Sequence, residues 1–506
     1  MSLILLLWAE IIISLSFSTS PILGLGLAPS PSPSSTPNQN HTNSLHAVVA
    51  SALNEATDTL VHINLAKSSD LRERAALSDC SEFYGLSIEH LSQSLHPSPG
   101  STPFDIQIWL SAALTNLDNC RTSMAEQSVA HPFFMHNHAS ELIIKALAIN
   151  AEVVGPVIRE HLHIRLPDGD VVPEQARGGD AVVVAQDGSG TFRTIKEALD
   201  GYWRRKTKGR FVIHVKQGTY HEYVEIRRQM KDVELVGDGI GKTIITGDKS
   251  AKSGFSTMQS ATFKVTGDGF VARDITFRNT AGPTAGQAVA VLSASDRSAF
   301  YRCSIEGYQD TLWAAANRQL FEECQIYGTI DFIFGNAAAV FQKSAIYARA
   351  PLHGQKVVIT AQGREQANQA TGFSIVNCRF EADPGQKQAV GKFKAYLGRP
   401  WRDYARVVYM RSYLDGMVDP AGWMDWDHKG DTVYYGEYGN YGPGSGTKMR
   451  VTWPGVRVIR DVHEAQKFTV TNFIGGQQWL PQSGVPFSGG LNGVDRVSVG
   501  LDQTSI

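Results

Sequence analysis

Two stretches of this chain carry the same spacing: Cys303-Ser-Ile305-Glu-Gly307-Tyr-Gln309-Asp310 and Cys324-Gln-Ile326-Tyr-Gly328-Thr-Ile330-Asp331, each aspartate seven residues beyond its cysteine. On successive turns of a solenoid, equal offsets make equivalent residues neighbours about 4.8 Å apart. Two carboxylates that close resist double ionisation, so one keeps a proton near neutral pH while the other stays anionic. An acid and a nucleophile then come from one geometry. A plainer use exists, in which each aspartate ends a coil and bonds to turn backbone. Gln309 beside Asp310, and Gln287 one coil earlier, weigh against it, because amide donors beside a carboxylate pair suit a developing oxyanion. Cys303 and Cys324, placed by the same offset, come close enough to bridge. Spacing alone leaves open which aspartate attacks.

The elements that must hold this pair follow from a repeat. Ala272-x-x-Ile275-x-Phe277, Phe300-x-x-Cys303-x-Ile305, Phe321-x-x-Cys324-x-Ile326, Phe341-x-x-Ser344-x-Ile346, Ile375-x-x-Cys378-x-Phe380 and Tyr409-x-x-Ser412-x-Leu414 align, with steps of 28, 21, 20, 34 and 34 residues. Short β-rich runs at an irregular period, separated by Gly, Asn and Asp turns, predict a parallel β-helix. Within 181–506 the one helical stretch expected to matter is Thr194 to Trp203. Few tight hairpins are visible, which disfavours a sandwich.

The first part of the chain reads differently. From about His46 to Ile158 apolar residues recur at helical spacing (Leu53, Ala56, Leu60, Ile63; Ile106, Leu110, Leu114, Leu117), predicting a four-helix bundle in which Cys80 and Cys120 join two helices. The expected order is a secretory signal or membrane anchor at 1–27, a Pro/Ser-rich flexible segment at 28–45, the bundle at 46–160, a linker at 161–180 and the solenoid at 181–506. A sequon at Asn40-His41-Thr42 and five cysteines agree with a secretory route to the extracellular space. Membrane attachment follows only if the first segment is uncleaved.

The formal net charge of −2 conceals an asymmetry, with about −10 on residues 1–180 and +8 on the rest. Either the two parts face each other or the basic part seeks an acidic partner. No nucleic-acid-binding motif accompanies the scattered basic residues. Gly237-Asp-Gly-Ile-Gly-Lys242 resembles a phosphate loop, but a strand follows it and a solenoid turn is the better reading. His131, His136 and His138 lack ligand spacing and read as solvated, so no metal is expected. Cys378 falls on an inward stacked position and reads as an inert core thiol.

The motifs of 181–506 resemble the plant pectin methylesterases: Gly218-Thr-Tyr-His-Glu222, Gln287-Ala-Val-Ala290, Gly307-Tyr-Gln-Asp-Thr-Leu312, Asp331-Phe-Ile-Phe-Gly-Asn336, Ile359-Thr-Ala-Gln-Gly-Arg364 and Leu397-Gly-Arg-Pro-Trp401. The resemblance implies a right-handed parallel β-helix that hydrolyses methyl esters of homogalacturonan in the cell wall, without cofactor or metal, as a monomer. It implies Asp331 as nucleophile, Asp310 as acid and then base, Gln309 and Gln287 at the oxyanion, and Arg399, Trp401 and Thr262 at the sugar. Residues 46–158 are similar to the inhibitor-like pro-region of such enzymes, notably in Asp79-Cys80-x-Glu82-Phe83-Tyr84 and Trp109-Leu-Ser-Ala-Ala-Leu-Thr-Asn116. The second cysteine pair usual in that family is absent, as is a paired-basic processing site in the linker. The alternatives are a glycosidase using the same dyad, and a non-catalytic wall-binding or inhibitor protein.

Overall fold

A computed structural model describes residues 37–129, 138–161, 170–171, 181–205, 209–389, 393–427 and 429–491. The expected signal segment, most of the linker, His131, His136 and the Asn40 side chain lie outside the described residues.

Hydrophobic residues at helical spacing form α1 (Pro37–Leu65), α2 (Leu71–Leu95), α3 (Pro103–Glu126) and α4 (His138–His161). Helix α1 begins ahead of the boundary placed at 46; Pro37 is tolerated there because a first helical residue needs no backbone N–H partner. Thr102 and Asp105 form a reciprocal capping box that starts α3. Cys80 and Cys120 are disulfide-bonded and join α2 to α3.

From Ala181 onward the chain coils, and successive coils contribute strands to three parallel sheets of eight, seven and eleven strands. The register is the one the repeat predicts: Phe300 pairs with Ala272 and Phe321, Phe321 with Phe341, Phe341 with Ile375, and Ile375 with Tyr409. Inside, the rings of Phe300 and Phe321 stack at 4.9 Å, and those of Phe321 and Phe341 at 4.8 Å. This stack fixes the order of the rungs, because sliding one coil would turn its aromatic out of the core.

At one corner of each coil the residue before the inward position is left-handed: Asp274, Arg302, Glu323, Lys343, Asn377 and Arg411, with φ between 48° and 56°. Those residues are charged or amide-bearing, so the turn carries no glycine signature. Gly237 to Lys242 is a solenoid turn between strands Val233–Gly237 and Thr243–Gly247. Helix Ile195–Asp200, capped by Thr194 and Glu197, begins the expected helical stretch. Three further helices, Val462–Gln466, Val470–Ile474 and Gly476–Ser483, with Phe468 in the connection between the first two, pack Phe468, Phe473 and Leu480 on the outer face of the eleven-stranded sheet. They went unforeseen because five to eight residues are too short to display a helical period.

The structure corrects the proposed bridge between Cys303 and Cys324, which are free buried thiols on adjacent rungs. In-register parallel strands hold equivalent Cβ atoms at the rung spacing of about 4.8 Å, wider than the roughly 3.8 Å a disulfide needs. The Cys324 thiol donates to the carbonyl of Phe300 instead, at 3.3 Å. Cys378 is also a free buried thiol, and burial pushes its pKa up to about 12.

Candidate active site

The seven-stranded sheet positions the dyad. Strand Leu312–Ala314 lies in register with Ile333–Gly335, Leu312 opposite Ile333, so Asp310 and Asp331, each two residues before its strand, stand at equivalent corners of neighbouring rungs. Both are left-handed, with φ of 59° and 49°, a conformation short polar residues tolerate better than most. The Asp310 N–H donates to the Ile330 carbonyl at 3.0 Å, tying one corner to the next. Asp310 is 8% exposed and Asp331 6%.

The two carboxyls differ in their neighbours. Arg399, on strand Ala395–Pro400, donates from Nε to Asp331 Oδ1 at 2.8 Å and from Nη2 to Oδ2 at 2.5 Å. Burial raises the pKa of Asp331, and the guanidinium opposes that rise. Asp310 is pushed well above the carboxylate range by burial first, then by the charges of Asp331 and Glu126, with only weak relief from Arg399. Asp331 is therefore the better anion and Asp310 the better acid.

The outward side chains of the seven-stranded sheet form one row across its rungs: Glu225, Lys264, Leu292, Trp313, Phe334, Ala361 and Arg399. Trp313 and Phe334 stack at 5.2 Å, and Trp401 meets Phe334 at 6.0 Å. Gln287 and Gln309 are half-buried, and their carboxamides hold no hydrogen bond with other described residues. Gln309 and Arg399 line an open cleft of about 710 Å³ with Lys356, Tyr396 and Trp423. Thr262 stands apart from this surface: it is fully buried, its hydroxyl donated to the Arg278 carbonyl at 3.2 Å.

Two residues escaped the sequence reading. Trp426 stacks under Arg399, whose guanidinium carbon lies 4.0 Å from the ring centroid. It is carried there because Trp423 bridges Gly398 and Met424 N–H bonds the Gly398 carbonyl; its segment lies outside the repeat, which gives no signal for it. Glu126 belongs to α3 and reaches the site across the fold, where it accepts from the Thr257 hydroxyl at 2.9 Å.

From Ser44 onward the chain is one body, and the bundle covers this face. Asp79 accepts from Ser256 at 2.5 Å and from Gln259 at 2.9 Å. Arg402 donates to Asp118 at 2.9 Å, Asn336 to Thr115 at 2.8 Å, and Phe83 meets Trp313 at 6.2 Å. Lys231, Lys264, Arg318 and Arg402 of the solenoid pair with Glu89, Glu82, Asp105 and Asp118 of the bundle, and one pair, Arg121 with Glu365, runs the other way, so the opposite charges of the two parts largely meet across this interface.

A parallel β-helix with a buried, asymmetric carboxyl pair beside an open cleft is the framework on which comparison with known proteins places this chain among the hydrolases. The chain belongs to the pectinesterase family: the family profile described as pectinesterase matches residues 181–477, and that described as plant invertase/pectin methylesterase inhibitor matches residues 27–149. Similar relatives are the probable pectinesterase/pectinesterase inhibitor 17 of Arabidopsis thaliana, 48% identical over 84% of this chain and 83% of that protein, and pectinesterase 2 of Citrus sinensis, 47% identical over 84% of each. Among solved structures, the pectin methylesterase from carrot aligns with a TM-score of 0.61 at 48% identity, covering 63% of this chain and all of that one. The enzyme from Aspergillus niger aligns at 0.52 with 31% identity, over 61% of this chain and 98% of that one.

Proposed function

We propose that this chain releases methanol from the methyl esters of homogalacturonan, with Asp331 as nucleophile and Asp310 as acid and then base. The asymmetry of the dyad, Asp331 held in a guanidinium fork and Asp310 pushed toward its protonated form, carries this assignment. Anionic Asp331 adds to the ester carbonyl, and the Gln287 and Gln309 amides receive the oxyanion. Asp310 protonates the departing methoxide, leaving an acyl-Asp331 anhydride. Water then enters, gives one proton to Asp310 and adds as hydroxide to the anhydride, which splits into the uronic acid and the Asp331 carboxylate; the acid then loses its proton to solvent as uronate. Arg399 orients Asp331 while Trp401 and Trp426 offer faces to sugar rings; Thr262, fully buried with its hydroxyl donated to the Arg278 carbonyl, is not assigned to the sugar. Secretion to the cell wall suits this substrate, and no helix among the described residues is long and apolar enough to cross a membrane. Product analysis tests the reading: methanol should appear without new reducing ends, and new reducing ends would establish the glycosidase instead.

The bundle acts on this reading as a built-in inhibitor. The carboxyls of Asp79, Glu82 and Glu126 are held above their usual range, chiefly by burial. A carboxyl whose pKa is raised by docking favours the docked state in acid, and that contribution fades as pH rises through the raised value. Lys264 opposes the shift at Glu82, and Glu225 adds to it. Asp105 is shifted the other way, which acts only at the acid end. Hydrogen-exchange protection of α2 and α3 in the full chain, corrected for intrinsic rates, should therefore fall as pH rises from acid through the raised values of these carboxyls. Protection that stays flat across that range would refute the pH-dependent clamp.

A further inference from the structure

Lys264 lies in the outward row of the seven-stranded sheet, five rungs from Arg399 by register, a separation of about 24 Å at the rung spacing. Between the two cations the row is apolar, with Leu292, Trp313, Phe334 and Ala361. A polymer laid along this row meets a floor for sugar faces and a cation near each end. The Lys264 ammonium sits 2.7 Å from Glu82 of α2 and 3.1 Å from Glu225 of the neighbouring rung. Glu225 belongs to the solenoid and already serves the fold as its cross-rung partner. Glu82 belongs to the bundle and leaves when the bundle does, so one side of the ammonium is then vacated. The surface does not end there: Glu225, Arg227 and Arg228 line a groove of about 680 Å³ that runs on between the bundle and the solenoid.

We propose that Lys264 is a distal carboxylate-binding position of the cleft, which takes an unesterified uronate of the galacturonan chain and which Glu82 occupies in its place while the bundle is docked. This deepens the esterase reading and rests on it. Lys264 discriminates because a methyl ester carries no charge to pair with it, whereas a freed carboxylate replaces Glu82 like for like. The enzyme then favours esters that lie several sugars from an already demethylated unit. The product of earlier turnovers also competes with the bundle for the same ammonium.

The test compares initial rates of methanol release by the full chain on two homogalacturonans of equal length, one fully methyl-esterified and one partly de-esterified. Lys264→Gln should raise the ratio of KM on the partly de-esterified polymer to KM on the fully esterified one about fivefold, the loss of one charge-assisted contact, with kcat little changed. Lys264→Arg should restore the ratio. Glu82→Gln should lower the KM for the partly de-esterified polymer in the wild-type background and leave the ratio unchanged in the Lys264→Gln background, since the two act on one contact. An unchanged ratio in Lys264→Gln, or full additivity of the two substitutions, overturns the proposal and leaves the esterase reading intact. Absence of methanol on both polymers from the wild type and from Glu82→Gln, at the alkaline pH that loosens the bundle as well as in acid, overturns the esterase reading, and this one with it.

Discussion

Asp331→Asn should lower methanol release by about 10⁴-fold or more while leaving pectin retention intact, the scale of loss seen when a nucleophile is removed from a preorganised site. Asparagine keeps the shape and can still accept one bond from the Arg399 fork, but it has no charge and cannot form the acyl intermediate. Its amide also points donor hydrogens at a guanidinium that made two bonds to the carboxylate. Asp310→Asn should cost less. Asp310 is held toward its neutral form by burial and by Asp331, and asparagine imitates the shape of that form while losing the proton it must give. Unequal losses, the larger at Asp331, support the roles assigned. Residual activity of Asp331→Asn within tenfold of wild type would mean that the attack comes from elsewhere.

Arg318→Met should be among the most destabilising single changes in the molecule, at about 3–5 kcal/mol, because it strands buried carboxylates. Arg318 is fully buried. It forks onto Asp296 from Nε at 2.9 Å and Nη2 at 2.6 Å, and reaches Asp105 from Nη1 at 2.6 Å. Burial works against the ionised form of Asp296, and the guanidinium overcomes it and holds that carboxyl far below its usual range. Asp268 beside it is raised by burial and by Asp296, so the pair cannot easily carry two charges once the arginine is gone. A group with a depressed folded pKa contributes stability above its unfolded value and loses it as pH falls through the folded one. The deficit of Arg318→Met, read from chemical denaturation of the full chain, should thus be large at neutral pH and shrink in acid, where Asp296 protonates. A denaturation midpoint equal to wild type at neutral pH would refute the argument.

Arg318 also marks a limit of the sequence reading. Its partner Asp105 is the capping residue of α3, more than two hundred positions away in the chain, and no local pattern joins them. Glu126 and Trp426 were missed for the same reason: each reaches the dyad from a segment with no repeat in common with it. The thiol pair shows the converse. The alignment placed Cys303 and Cys324 on adjacent rungs correctly, yet adjacency is not bonding geometry, and parallel Cβ vectors at rung spacing leave two thiols.

The amino-acid sequence by itself determined the coils and their register, because the inward positions repeat and a residue-by-residue stack tolerates no slip. That register alone made neighbours of Asp310 and Asp331. It also determined the helical character of the first domain and the opposite charges of the two parts. Only the tertiary structure decided how those parts meet, and with them the environment of the dyad. The proton affinity of Asp310 depends on burial and on Glu126 from the bundle, and that of Asp331 on Arg399, 68 positions along the chain; burial and Coulomb interaction follow distance in space, and the chain reports distance along itself.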